Sequence, residues 1–290
     1  MKKWHHLLSL GFLFVSCSHP SVPETNTSAV GLLYATHNLP HAVVHTILIP
    51  AQSDWVVTPA LGIQLQNLPD IARQEKAIAA INGGFFDPKN QQTTSYIVRE
   101  GQIVADPRTN ERLVNNPKLA PYMEQILNRS EFRRYQCGKT IRYDITLHSE
   151  PNPEGCQLVV ALGGGPRLLP QLGAVEEAFL DYANGQVIRD AIGSNRPNAR
   201  SSVGITSEGN IILAMVAQKP ESTTKSGLSL PELAEFLSTL GVEKAINLDG
   251  GSSSSLFFQG ETIYGKLDTQ GQPIKRPILS ALLVHQRTQK

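Results

Sequence analysis

Four short glycine-bearing segments constrain this chain more than any other feature. They are Asn82-Gly-Gly-Phe-Phe-Asp87, Gly163-Gly-Gly-Pro166, Asn198-Ala-Arg-Ser-Ser-Val-Gly204 and Asn247-Leu-Asp-Gly-Gly-Ser-Ser-Ser-Ser255. Each puts glycine where an apolar run meets a turn. Glycine takes positive φ without strain and lets another backbone or a ligand approach closely. The neighbouring runs 77–81, 158–162, 200–205 and 244–248 are short, apolar and rich in β-branched residues, so they read as buried strands. Further strands are predicted over 43–50, 55–58, 211–216, 256–258 and 278–284, with hairpins at 96–105 and 200–216. Helices are fewer. Asn67 can cap one, with Pro69 and Asp70 in its first turn. The clearest covers 229–240: Ser229 and Glu232 form a capping box, Leu233, Phe236, Leu237 and Leu240 share one face, and Gly241 stops it. The fold class is therefore mixed α/β (α+β), with twisted sheets and few flanking helices.

Two stretches resemble each other. Leu68-Pro-Asp-Ile-Ala leads to Asn82-Gly-Gly, and Leu230-Pro-Glu-Leu-Ala leads to Asn247, Asp249 and Gly250-Gly251. Helix, strand and polar turn thus occur twice, which suggests two pseudo-repeated halves around a central cleft. In that case the two turns face each other.

The N-terminus reads as a targeting segment over 1–17. Lys2 and Lys3 precede an apolar run, 7–15, that is too short to anchor in a bilayer. Phe14-Val15-Ser16-Cys17 resembles a lipobox, which would lipidate Cys17 and tether the protein to a membrane of the cell envelope. Phe14 stands where Leu is usual, so cleavage as a plain secreted protein is the alternative. Residues 18–28 are polar and Pro-bearing, as a tether would be. The domain proper is then 29–290, with a polar insertion at about 106–156 that carries one helix near 121–128. Cys137 and Cys156 bracket part of it and either pair in an oxidising compartment or stay as two thiols.

The net charge of +1 gives no case for nucleic acid. No G-x-x-x-x-G-K-[ST] or G-x-G-x-x-G pattern occurs, and the histidines are scattered, so neither a nucleotide nor a zinc site is expected. No cofactor is implied, although a calcium ion near Asp249 or Asp87 would be compatible with the carboxylates.

Among polar residues, Asp249 stands out because a buried strand and two glycines aim it. Arg200 offers a planar fork that matches phosphate oxygens. Successive N–H groups in the glycine turns can form anion nests. Each feature also has a structural reading: a turn, a cap or a solvated charge.

Taken in order, the four segments resemble the phosphodiester glycosidase family, over roughly 42–284. The family's Asn/His-Pro-Arg-Thr-Ala becomes Asn198-Ala199-Arg200-Ser201-Ser202 here, with Arg kept and Pro lost. The resemblance implies hydrolysis of the glycosidic C–O bond of a sugar-1-phosphodiester. It assigns the carboxylate role to Asp249, with Asp87 second. It assigns phosphate to Arg200 and to Gly83, Gly84, Gly164, Gly165, Gly250 and Gly251. Asn82 and Asn247 would hold substrate hydroxyls or orient Asp249, and Ser253 would add a hydroxyl. Export would restrict the substrate to envelope or extracellular glycans. The rival reading is a non-catalytic module that binds phosphorylated glycan.

Overall fold

The computed structural model describes residues 1, 31–222 and 225–287, and the backbone of 24–28. Cys17 and residues 18–23 lie outside the described residues. Three antiparallel sheets make up the fold. The first has seven strands in the order β1 (Glu24–Ser28), β2 (Leu32–Asn38), β3 (Val43–Ile49), β17 (Ile211–Ala217), β16 (Arg200–Thr206), β18 (Val242–Asn247) and β13 (Arg167–Leu169). The second runs β20 (Glu261–Tyr264), β19 (Ser255–Phe258), β5 (Ala79–Asn82), β21 (Ile278–Gln286) and β4 (Trp55–Gln66). The third runs β11 (Thr140–Leu147), β10 (Ser130–Cys137), β12 (Cys156–Gly163), β8 (Ile97–Arg99) and β9 (Gln102–Ala105). Two small hairpins, β6 (Phe86–Asp87) with β7 (Gln92–Thr93) and β14 (Leu180–Ala183) with β15 (Gln186–Asp190), complete the strands.

Strand periodicity explains how the layers stack. On β17, Ile211, Leu213, Met215 and Ala217 face a core shared by all three sheets, while Ile212, Ala214 and Val216 face the opposite side. That opposite side is covered by helix α4 (Leu230–Thr239) through Leu230, Leu233 and Leu237. On β5 and β21, Ala79, Ile81, Leu282 and Val284 enter the shared core, while Ala80, Ala281 and Leu283 meet helix α1 (Leu68–Gln74). Each strand is thus apolar on both faces because a sheet lies on one side and a helix on the other.

The predicted capping box on α4 is present in both directions, Ser229 to Glu232. Asn67 sits at the N-cap of α1 but makes no side-chain cap bond. Two expectations need correcting. The stretch read as a polar insertion is half structural: β10 and β11 occupy 130–147, and Phe132 and Ile145 belong to the shared core. Charged residues fill the other positions, among them the buried Glu131–Arg133 ion pair, which hides the alternation. The end of the expected tether is an edge strand, Glu24–Ser28, paired with 32–36. Cys137 and Cys156 are disulfide-bonded across β10 and β12, where they stand directly opposite one another. No helix among the described residues is long and apolar enough to cross a membrane.

Candidate active site

The two similar helix–strand–turn units end at the same place. The Asn82 side-chain amide donates to the Asp249 carbonyl at 2.6 Å, and the Asp249 N–H donates to the Gly83 carbonyl at 3.0 Å. The turns after β5 and β18 therefore face each other, as the sequence pattern suggested. Asn82 is fully buried, and its Oδ1 accepts from the Ser201 hydroxyl at 2.6 Å and the Ser255 N–H at 3.1 Å. One amide side chain thus ties β5, β16, β19 and the Asp249 turn together. Fully buried and bonded to the protein through both its Nδ2 and its Oδ1, it braces the site from within.

Asp249 lies where these two turns meet. It is partly solvent-accessible yet surrounded by protein atoms. Burial pushes its carboxyl up to about 6, against the opposing pulls of the Ser253 hydroxyl, the Arg276 charge and the Gly250 N–H. The Gly250 N–H donates to Oδ1 at 2.9 Å. The Ser253 hydroxyl is buried close by without a hydrogen bond of good geometry.

Other predicted residues hold different posts. Arg200 is 2 % exposed, and its guanidinium donates to the carbonyls of Leu228, Ile192, Gly193 and Arg196 at 2.7–3.1 Å. It clamps the 192–200 loop onto β16, and most of its fork is unavailable to phosphate. Burial lowers its pKa to about 10. Of the six glycines assigned to phosphate, all but Gly84 spend their N–H within the protein. The N–H groups of Gly83, Gly164, Gly165, Gly250 and Gly251 donate to Ser280 O, Ser130 O, Asn247 O, Asp249 Oδ1 and Ala199 O. These glycines are needed because backbones pass closely: a Cβ on Gly164 would stand 2.8 Å from the Asn247 carbonyl oxygen. Glu177, which the sequence did not single out, fixes this turn by accepting from the Ser130 N–H, the Ser130 hydroxyl and the Arg167 N–H.

Asn247 is buried, donates to Gly165 O and Leu248 O, and leaves its Oδ1 without a partner among the described residues. Asp87 turns away. It alternates with Phe86 on β6, accepts from the Lys89 N–H and pairs with Arg112 at 2.7 Å. Slight burial raises its pKa, but the Lys89 N–H and the Arg112 charge outweigh it and hold the group below the ordinary value. Asp87 is a turn residue with an ion pair and not a second catalytic carboxylate. Among the described residues, no three His, Cys, Asp or Glu side chains gather where they could hold a metal.

Two cations near the Asp249–Ser252 turn were missed. Arg276 donates to the Ser252 hydroxyl at 3.0 Å, lies 5.1 Å over the Phe86 ring and acts electrostatically on Asp249. Lys266 donates to Asn198 Oδ1 at 3.1 Å, and burial, then the Arg200 charge, lower its pKa. Their local sequence, a Gly-Lys and a Lys-Arg-Pro in a polar loop, resembles ordinary surface composition and gave no signal.

The class is thereby set: a mixed α/β protein built on three antiparallel sheets, whose strand-end turns hold a partly buried carboxylate within the field of Arg276. The chain belongs to the phosphodiester glycosidase family, whose model matches residues 75–285. A mouse relative, N-acetylglucosamine-1-phosphodiester alpha-N-acetylglucosaminidase, is 42% identical over 66 residues. That match spans 23% of this chain and 12% of the mouse protein. The fold is similar to the zebrafish N-acetylglucosamine-1-phosphodiester alpha-N-acetylglucosaminidase catalytic domain auto-inhibited by pro-peptide, with TM-score 0.62 and 20% identity. It covers 93% of this chain and 86% of that one. A hypothetical protein from Synechocystis gives TM-score 0.59 at 18% identity, covering 91% of this chain and 64% of that one. A protein from Burkholderia pseudomallei K96243 described as exported gives 0.60 at 15%, covering 84% and 74%.

Proposed function

We propose that the protein is a hydrolase that cleaves the glycosidic C–O bond of a sugar-1-phosphodiester in an envelope or extracellular glycan. Export by the 1–17 segment, with lipidation at Cys17, is part of this reading. The observation that carries it is the placement of Asp249: a carboxyl raised to about 6, fixed where two strand-end turns meet, within the field of Arg276, in a chain of this family.

The chemistry follows from these groups. A phosphate ester is already a good leaving group, so the reaction needs little acid assistance. The C1–O bond breaks, and its electron pair leaves with the phosphate monoester. A water oxygen ends on C1; one of its protons stays there and the other goes to Asp249, which then releases it to solvent. Asn82 positions Asp249 through the backbone, and Gly250 N–H holds one carboxylate oxygen. Cations near the departing phosphoryl group stabilise the developing charge.

Asp249→Asn tests this. Turnover of a sugar-1-phosphodiester should fall by about a thousandfold or more while ligand is still bound. A protein with no turnover in the wild type, binding ligand equally in both forms, would be the glycan-binding module instead. Hydrolysis in ¹⁸O-water should place the label in the sugar; label in the phosphate would overturn C–O cleavage.

A further inference from the structure

The reading above requires a phosphate site, and Arg200 is committed to four carbonyls. Residues 265–277, the loop between β20 and β21, hold the alternative. The loop is a rigid arch. Ile274 N–H donates to Lys266 O at 2.8 Å, Leu267 pairs with Pro273, and the tip is closed by Asp268, whose carboxylate accepts from the Gln270 and Gln272 N–H groups. Its base is fixed on both sides: Gly265 N–H donates to Ser254 O, and Gln218 N–H donates to Gly265 O, each at 2.8 Å. The arch therefore presents both Lys266 and Arg276 to the Asp249–Ser252 turn. Lys266 reaches it through Asn198, whose Nδ2 lies 3.6 Å from where a Cβ on Gly251 would stand. Arg276 reaches it through the Ser252 hydroxyl and is braced on Phe86.

Neither cation is in an ion pair among the described residues. Each donates one side-chain hydrogen bond, to a neutral acceptor, so most N–H groups of both remain for a ligand. Around the Asp249–Ser252 turn these two cations face the carboxylate of Asp249, while the charge of the buried Arg200 is met by Asp190. Unpaired cations at a partly buried turn favour an anionic ligand.

We infer that Lys266 and Arg276 form the clamp that binds the phosphoryl oxygens of the substrate at the Asp249–Ser252 turn. This rests on the glycosidase reading for the identity of the ligand, but the clamp itself is a claim about anion binding. Arg276 faces the planar pair of non-bridging oxygens, and Lys266 acts as a point charge. A diester presents one negative charge there and the monoester product two, so product and inorganic phosphate should compete with substrate.

The test uses Arg276→Gln and Lys266→Gln in the full chain, with Arg276→Lys as the conservative variant and thermal unfolding as the check on folding. Substrates are an aryl phosphodiester of N-acetylglucosamine-1-phosphate or glucose-1-phosphate and the matching glycosyl fluoride, which has no phosphate. The expected result is a kcat/KM loss on the diester of about 10- to 100-fold, at least tenfold greater than any loss on the fluoride. Inhibition by inorganic phosphate should weaken about tenfold or more in both Gln variants, and Arg276→Lys should recover part of it. Equal losses on diester and fluoride, or unchanged phosphate inhibition, overturn the clamp while leaving the glycosidase reading intact. Calorimetric phosphate binding that weakens in both variants of a protein with no turnover supports the clamp and removes the glycosidase.

Discussion

Asp249 carries the residue-scale argument, because its charge is costly in the folded state. An ordinary aspartate in the unfolded chain titrates near 3.8, and this one is raised to about 6. The folded protein therefore holds the proton more tightly, and stability falls as pH rises from about 3.8 to about 6, then levels off. Asp249→Asn removes that cost. The variant should match the wild type near pH 4 and be more stable at pH 8 by roughly 1–3 kcal/mol, read from thermal melts at the two pH values. Activity has the opposite dependence, since only the ionised carboxylate takes a proton from water. The kcat/KM profile should rise with pH through about 6. A profile that falls through that range would make Asp249 an acid. This residue was legible in the sequence because a buried strand and two glycines bracket it. Arg200 was equally visible, yet four of its five N–H groups are spent on protein carbonyls. A sequence shows that a guanidinium is present but not which carbonyls will surround it.

Among the elements, β10 and β11 show where periodicity is misread. Arg133, Arg134, Glu131 and Asp144 make the segment look like a polar insertion, yet alternate positions Phe132 and Ile145 fill the shared core. The disulfide fastens β10 to β12 at Cys137 and Cys156, opposite the Gly163 end that faces the site. The two ends of β12 are about 23 Å apart at strand rise. Replacing both cysteines by serine should lower unfolding stability by about 3 kcal/mol, from the closure entropy of the loop between them. Turnover at temperatures where the variant is folded should stay the same. A matching loss of kcat would mean that the hairpin's position reaches the site.

At the scale of the whole molecule, function depends on bringing together two sheets that are far apart in sequence. Asn82 ends a strand of the second sheet and bonds to Ser201 and the Asp249 turn of the first. Asn82→Ala should cost roughly 2–4 kcal/mol by leaving buried partners unmatched, and should lower kcat more than it raises KM. Measured kinetics with unchanged kcat would limit Asn82 to a structural role. The sequence by itself determined most of the core strands, the capped helix at 230–239 and the paired glycine turns that bracket Asp249, because these follow from local periodicity, capping and glycine placement. The tertiary structure alone decided which groups spend their hydrogen bonds internally. It committed Arg200 and most of the assigned glycine N–H groups to protein carbonyls, paired Asp87 with Arg112, and brought Lys266 and Arg276 to the Asp249–Ser252 turn. The physical reason is that a polar group's availability is set by its neighbours in space, which local sequence patterns do not reveal, whether they lie 25 residues away, as Asp87 and Arg112 do, or 167, as Asn82 and Asp249 do.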